Sequence, residues 1–202
     1  VGKIIEGIEV KIAKDGEILC KGPNVMKGYY KDSKLTSKTI KNGFLHTGDI
    51  GIIDKDGFLK ITDRKKQLFK TSGGKYIAPQ VIESKMKRSP FIEQIMVIGE
   101  GEKMPSALIQ PDFEYVKNWL LKNKVNILDN FTNICKNKEL LVKIDEEIKK
   151  INTEFGDWER IKKFELTPEI WSIENGLLTP TMKLKRKSII KKFIHLKEKI
   201  YT

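Results

Sequence analysis

The chain has 202 residues, a net charge of +12, 39% hydrophobic and 33% charged residues, and two cysteines. That length and apolar content suit one or two folded domains and exclude an intrinsically disordered chain. No run of 18 apolar residues occurs, which excludes a membrane-spanning helix, and the spacing of Cys20 and Cys135 excludes the common metal and redox motifs.

In chain order, residues 1–62 read as strands and turns. Ile8, Val10 and Ile12 alternate with Glu9 and Lys11, as on a half-buried strand. Asp15-Gly16 and Asp56-Gly57 are hairpin signals, the second joining Gly51-Ile52-Ile53 to Phe58–Ile61. Residues 63–75 are basic and contain glycines, so they read as a linker. Pro79 predicts the first turn of a helix carrying Val81, Ile82, Lys85 and Met86. Ile95–Ile98 and Ala107–Ile109 suit buried strands. Residues 112–155 read as helical, with Phe113, Val116 and Leu120 on one face and Leu140, Leu141, Ile144, Ile148, Ile151 and Phe155 on another. In the tail, Ile189, Ile190, Phe193, Ile194 and Ile200 oppose a lysine-rich side. Such a tail could lie on a membrane surface, giving peripheral contact, but a packed terminal helix is the preferred reading. Both cysteines are read as reduced, in a cytoplasmic protein. The opening at Val1 on strand-like sequence is read as a piece of a longer polypeptide.

Positive charge is concentrated in residues 60–88 and 181–202, each with a net charge of +7. Such patches attract nucleotides, CoA, nucleic acid or acidic lipid, and equally describe a solvated lysine-rich surface. Within and beside them lie residues suited to a nucleotide. Asp49, in His46-Thr47-Gly48-Asp49, can accept two hydrogen bonds from the vicinal hydroxyls of a ribose, although Asp after Gly is commonly a turn residue. Arg64 offers a rigid donor fork for a ribose edge or phosphate. Ser72-Gly73-Gly74 lets backbone approach a ligand closely, but is equally a flexible connection, and it is not a phosphate-cradling lysine loop. Lys183 could stand between a carboxylate and an α-phosphate, yet charge pattern alone does not separate it from Lys185, Arg186, Lys187, Lys191 and Lys192. Neither histidine belongs to a catalytic set, and no metal-ligand cluster is evident, so no metal-binding residue is assigned.

Four runs in order resemble the carboxyl-terminal third of adenylate-forming acyl-CoA synthetases, above all the long-chain fatty acid–CoA ligases. They are Gly16–Tyr30, Gly43–Asp49, Asp63–Lys70 and Asn175–Arg186, and the likeness spans essentially the whole chain. It implies an α+β protein: residues 1–63 a small antiparallel β-rich remnant of the large adenylation domain, and residues 64–202 a mobile lid with a small sheet flanked by helices and a hinge at 64–66. The helical segment from Asp112 to about Ile170 resembles the enlarged lid of the long-chain subgroup. Asp49 and Arg64 would bind the ATP ribose, Lys66 would be the pivot, and Lys183, favoured by the family spacing, would bridge fatty acid carboxylate and α-phosphate. The Ser72–Gly74 turn would line the CoA channel. The family reaction consumes fatty acid, ATP and CoA with Mg²⁺. The phosphate loop, the aromatic-Gly-x-Thr-Glu motif, the metal ligand and the fatty acid tunnel would lie before Val1. The chain alone is therefore expected to be inactive and to need the missing N-terminal adenylation domain as its partner. Two alternatives from other classes are a basic nucleic-acid-binding module and a non-catalytic regulatory homologue. No sequence-specific nucleic-acid motif is present, so specific nucleic acid is not an expected partner.

Overall fold

Asp-Gly turns fold the first strands back on one another in the computed structural model, which describes residues 1–65, 67–123 and 130–202. The described backbone divides into two units, Val1–Leu68 and Phe69–Thr202. The first holds β1 (Gly2–Lys3), β2 (Glu9–Ile12), β3 (Glu17–Lys21), α1 (Ser33–Thr39), β4 (Ile40–Lys41), β5 (Phe44–Ile53) and β6 (Phe58–Arg64). Its six strands form one antiparallel sheet in the order β1-β6-β5-β3-β2, with β4 beside β5. Both Asp-Gly signals are used. Gly16 (φ +83°) and Gly57 (φ +79°) take the left-handed conformation, and the Asp54 carboxylate accepts the amides of Asp56 and Phe58.

This sheet buries little. Among the described residues, Ile18 is the unit's one buried large apolar side chain, while Ile52 (53% exposed), Phe58 (44%) and Ile61 (48%) face outward. By the strand alternation Ile52 and Phe58 share one face of the sheet and Ile61 lies on the other, so neither face is closed by a core of its own.

The second unit begins with β7 (Phe69–Lys70) and β8 (Tyr76–Ile77), followed by α2 (Pro79–Met86), β9 (Ile92–Ile98) and β10 (Ser106–Pro111). Next come α3 (Phe113–Lys122), α4 (Phe131–Cys135), α5 (Lys138–Asn152), β11 (Lys163–Leu166), α6 (Arg186–Lys192) and α7 (Ile194–Tyr201). β10 is the centre of a three-stranded sheet, antiparallel to β9 and parallel to β11. Alternate residues serve two cores. Ile95, Val97, Ala107 and Ile109 meet α2 to α5 on one face. Met96, Ile98 and Leu108 meet Trp171, Leu177, Leu178 and the terminal helices on the other. Burial on both faces explains why Ile95–Ile98 is continuously apolar rather than alternating. The protein is thus α+β, a β-rich unit followed by a small sheet flanked by helices.

Three expectations need correction. Residues 63–75 are not a featureless linker: Asp63 and Arg64 end β6, and Lys70 pairs with Tyr76 in the short β7–β8 hairpin. The helical region is not continuous, because Asn130 and Asn137 accept the amides of Asn133 and Leu140 and so start new helices. The tail stripe is broken as well. Phe193 leaves helical geometry (φ −108°, ψ 30°), so Ile189, Phe193 and Ile200 are buried while Ile194 is 42% exposed. The packed-helix reading holds for those three buried residues. β11 was not anticipated.

Ile144, fully buried in the larger core, gives a direct check on that packing. Ile144→Ala is expected to lower unfolding free energy by about 2–5 kcal/mol, measured by urea denaturation with tryptophan fluorescence. A loss below about 1 kcal/mol would contradict this core. Among the described residues, no helix is long and apolar enough to cross a membrane.

Candidate functional site

Asp49 and Arg64 come together because β5 and β6 pair in a register that sets them directly opposite each other. The Arg64 Nε donates to Asp49 Oδ1 at 2.8 Å, with the aspartate side chain 21% exposed and the arginine 55% exposed. A carboxylate oriented by a guanidinium and still reachable from solvent is a competent acceptor for a diol. Beside it, Gly48 takes φ +74°, a conformation that a residue with a Cβ adopts only with strain.

Sequence reasoning missed what fixes this corner. Glu17, on β3, is 4% exposed. Its carboxylate accepts from His46 Nδ1 at 2.9 Å, the Gly48 amide at 3.0 Å and Lys65 Nζ at 2.8 Å. Thr47 adds a hydroxyl that donates to the Ile18 carbonyl at 2.8 Å and accepts the Asp49 amide at 3.1 Å. The Lys65 amide donates to the Gly48 carbonyl at 2.8 Å. One buried carboxylate therefore ties the residue before Asp49 to the residue after Arg64. Burial pushes the Glu17 carboxyl upward, but the hydrogen bonds from Lys65, His46 and Gly48 outweigh it and hold it below the usual range. Hydrogen bonds to Asp15 and Glu17 raise the Lys65 ammonium. His46, which the sequence placed in no catalytic set, shapes this corner through Glu17. The one available signal was the placement of a glutamate, Glu17, immediately after a hairpin turn.

The other candidates lie in the second unit. Ser72, Gly73 and Gly74 form the exposed tip of the β7–β8 hairpin, closed by Gly74 N to Thr71 O at 2.9 Å. The Ser72 amide donates to Glu102 O at 2.8 Å and the Gly101 amide to Lys70 O at 2.8 Å, so the tip is braced on the turn after β9. Lys183 lies in a tight turn bounded by a bridge between Leu178 and Leu184. The Thr179 amide donates to Lys183 O at 2.8 Å, the Lys183 amide to Thr179 Oγ1 at 3.1 Å, and Met182 takes φ +59°. The Lys183 side chain is exposed and has no ion-pair partner among the described residues. Lys185, by contrast, sits outside the turn at the start of α6. Lys66 lies outside the described residues.

Among the described residues, no group of three or more His, Cys, Asp or Glu side chains could hold a metal ion. The geometry thus offers a diol acceptor with a neighbouring cation, a glycine-lined hairpin tip and, in a hydrogen-bonded turn, a lysine with no ion-pair partner among the described residues.

A family model described as AMP-binding enzyme C-terminal domain matches residues 66–202. The chain belongs to this family. Similar proteins include the long-chain-fatty-acid–CoA ligase FadD15 of Mycobacterium tuberculosis, 37% identical over 201 residues, covering 100% of this chain and 34% of the relative. Long-chain-fatty-acid–CoA ligase 1 of Homo sapiens is 43% identical over 176 residues, covering 85% of this chain and 25% of the relative. The chain therefore spans about a quarter to a third of the length of these relatives. Among solved structures, the A-PCP didomain of carboxylic acid reductase from Segniliparus rugosus, in complex with AMP, aligns with a TM-score of 0.78 at 22% identity. That alignment covers 99% of this chain and 29% of the other. At such identity the likeness establishes the fold that this AMP-binding enzyme C-terminal domain shares with adenylation enzymes.

Proposed function

We propose that the chain is the carboxyl-terminal portion of an ATP-dependent long-chain fatty acid–CoA ligase. The observation that carries this reading is the likeness to the FadD15 ligase over the full length of the chain. The substrates follow: fatty acid, ATP and CoA. In the first step a carboxylate oxygen attacks the α-phosphorus of ATP, and pyrophosphate leaves to give acyl-adenylate. In the second the CoA sulfur attacks the acyl carbon, its proton is lost to solvent or base, and AMP departs.

In this scheme Asp49 accepts the two ribose hydroxyls, and Arg64 keeps that carboxylate aimed while offering its own donors to the ribose. Lys183 places its ammonium between the fatty acid carboxylate and the α-phosphate. There it offsets the charge that develops as the new P–O bond forms. The Ser72–Gly74 tip lines the path of CoA, where the lack of side chains admits a narrow ligand. Lys66 is the proposed pivot between domain positions serving the two steps. Residues 1–63 would belong to the large domain and 64–202 to the lid, and the exposed Ile52, Phe58 and Ile61 would be covered by the remainder of the adenylation domain. Mg²⁺ finds no acidic cluster among the described residues and would be held elsewhere in the polypeptide.

The test uses the complete product of the reading frame that encodes this chain, supplied with palmitate, ATP and CoA. Fatty-acid-dependent pyrophosphate release and acyl-CoA formation are expected together. Failure to turn over any fatty acid would overturn the ligase assignment. The isolated 202-residue chain is expected to form no palmitoyl-CoA, and detection of that product would refute its dependence on the rest of the enzyme.

A further inference from the structure

Arg186 begins α6 three residues after Lys183 and reaches back to α2. Its Nη2 donates to both carboxylate oxygens of Glu83, at 2.7 and 2.6 Å, and its Nη1 donates to the Val97 carbonyl at 3.2 Å. The Glu83 carboxylate also accepts the Val97 amide at 2.7 Å. Val97 lies on β9, the edge strand of the three-stranded sheet. Both of its outward backbone groups are thus met by the two members of one ion pair. The pair stands where a further strand would stand, and it seals that edge position.

We infer that Glu83 and Arg186 form a positioning clamp that aims the Lys183 turn. The turn has two arms. The upstream arm is held by Leu177 and Leu178, buried in the smaller core at 2% and 0% exposure. The downstream arm, Leu184 to Arg186, is held by the Lys185 amide on Leu177 O at 2.9 Å and, beyond it, by the clamp. Lys183 itself makes no side-chain ion pair among the described residues, so the direction of its ammonium depends on the backbone beneath it. Glu83 is 8% exposed, and a buried ion pair of this kind adds little net stability over apolar packing. What it does add is geometry. A planar guanidinium whose two terminal nitrogens donate to different fixed acceptors, Nη2 to the Glu83 carboxylate and Nη1 to the Val97 carbonyl, has its orientation set in a way that a lysine ammonium cannot reproduce. A displacement of about 1 Å at a reacting group costs ~10²-fold in rate, so an aimed turn has catalytic value that a merely folded one lacks.

The catalytic part of this inference rests on the role of Lys183 proposed above, and the test separates the two. In the 202-residue chain, Glu83→Gln and Arg186→Lys are examined by amide hydrogen exchange. Exchange at Thr179, Lys183 and Lys185 is expected to accelerate at least about tenfold, while Ile95 and Leu108 keep their protection. In the complete polypeptide, Arg186→Gln is expected to lower the kcat of adenylate formation ~10–10²-fold. The KM for ATP should change less than about threefold, and thioester formation from supplied acyl-adenylate less than about twofold. Unchanged exchange in the turn overturns the clamp. So does acceleration spread equally through the unit, which would make the pair a general stability element. Should Arg186→Gln fail to fold, Arg186→Lys and Glu83→Gln still decide between these outcomes. A wild-type polypeptide that forms no adenylate, combined with selective loosening of the turn, would uphold the clamp and reject the ligase reading.

Discussion

Lys183→Ala is expected to slow acyl-adenylate formation by ~10²–10³-fold, the loss typical when one preorganised group facing developing charge is removed. The fold should not change, because the side chain is exposed and the turn is closed by backbone and threonine hydroxyl contacts. The second half-reaction gives the sharper contrast. Supplied acyl-adenylate already has its P–O bond, so its conversion to acyl-CoA should fall by less than about tenfold. The measurement is single-turnover pyrophosphate release beside acyl-CoA formation from synthetic adenylate. Equal losses in both would show that Lys183 supports the domain generally. If Lys185→Ala removed adenylation and Lys183→Ala did not, the assignment would move to the neighbouring lysine.

Glu17→Gln is expected to destabilise the first unit by about 1–3 kcal/mol and to raise the KM for ATP about tenfold. Gln keeps the shape of the carboxylate but not the charge that holds Lys65 and orients His46. The corner carrying Asp49 and Arg64 should loosen with it. The pH dependence has a definite sign. The Glu17 carboxyl is held low in the folded state, so its contribution is present above the unfolded value of about 4.3 and lost as pH falls through the folded value. Lys65 is raised, so its smaller, partly solvent-screened contribution is present below about 10.4 and lost as pH rises through the folded value. Wild type and Glu17→Gln should therefore differ most between these limits and converge in acid. Exchange of the Gly48 amide as a function of pH reports this directly. A stability gap that persisted unchanged to about pH 2 would remove the carboxylate charge from the explanation.

Local features were the most legible. Asp15-Gly16 and Asp56-Gly57 specified their turns because each glycine takes left-handed backbone without strain. The strands Ile95–Ile98 and Ala107–Ile109 were visible as apolar runs, and Pro79 marked a helix start. β11 escaped because Lys163-Phe-Glu-Leu166 lacks turn residues immediately before it and its partner lies far upstream. The β7–β8 hairpin escaped because each strand is two residues long, too short for a period to register. At the candidate site, residue types were legible and arrangement was not. Asp49 and Arg64 could be named from motifs, but their direct opposition depends on a register shift between β5 and β6, where Thr62 is passed over, that no pattern announces. Glu17 and Glu83 do their work through partners 14 to 103 positions away, a distance over which sequence periodicity carries no information.

The parallel pairing of β10 with β11 has a kinetic consequence. Ser106 meets Lys163 only after more than fifty intervening residues, whereas it meets Ile98 across a short turn. Closing the longer loop costs roughly 2 kcal/mol more in chain entropy than closing the short one. The β9–β10 hairpin should therefore form early, and β11 should dock only once α3 to α5 have condensed and shortened the effective span. During synthesis, the terminal helices that cover the other face of the sheet emerge later still. The face of β10 that bears Leu108 would remain open until α6 and α7 have left the ribosome, making the emergence of these helices the step that ends its exposure to aggregation.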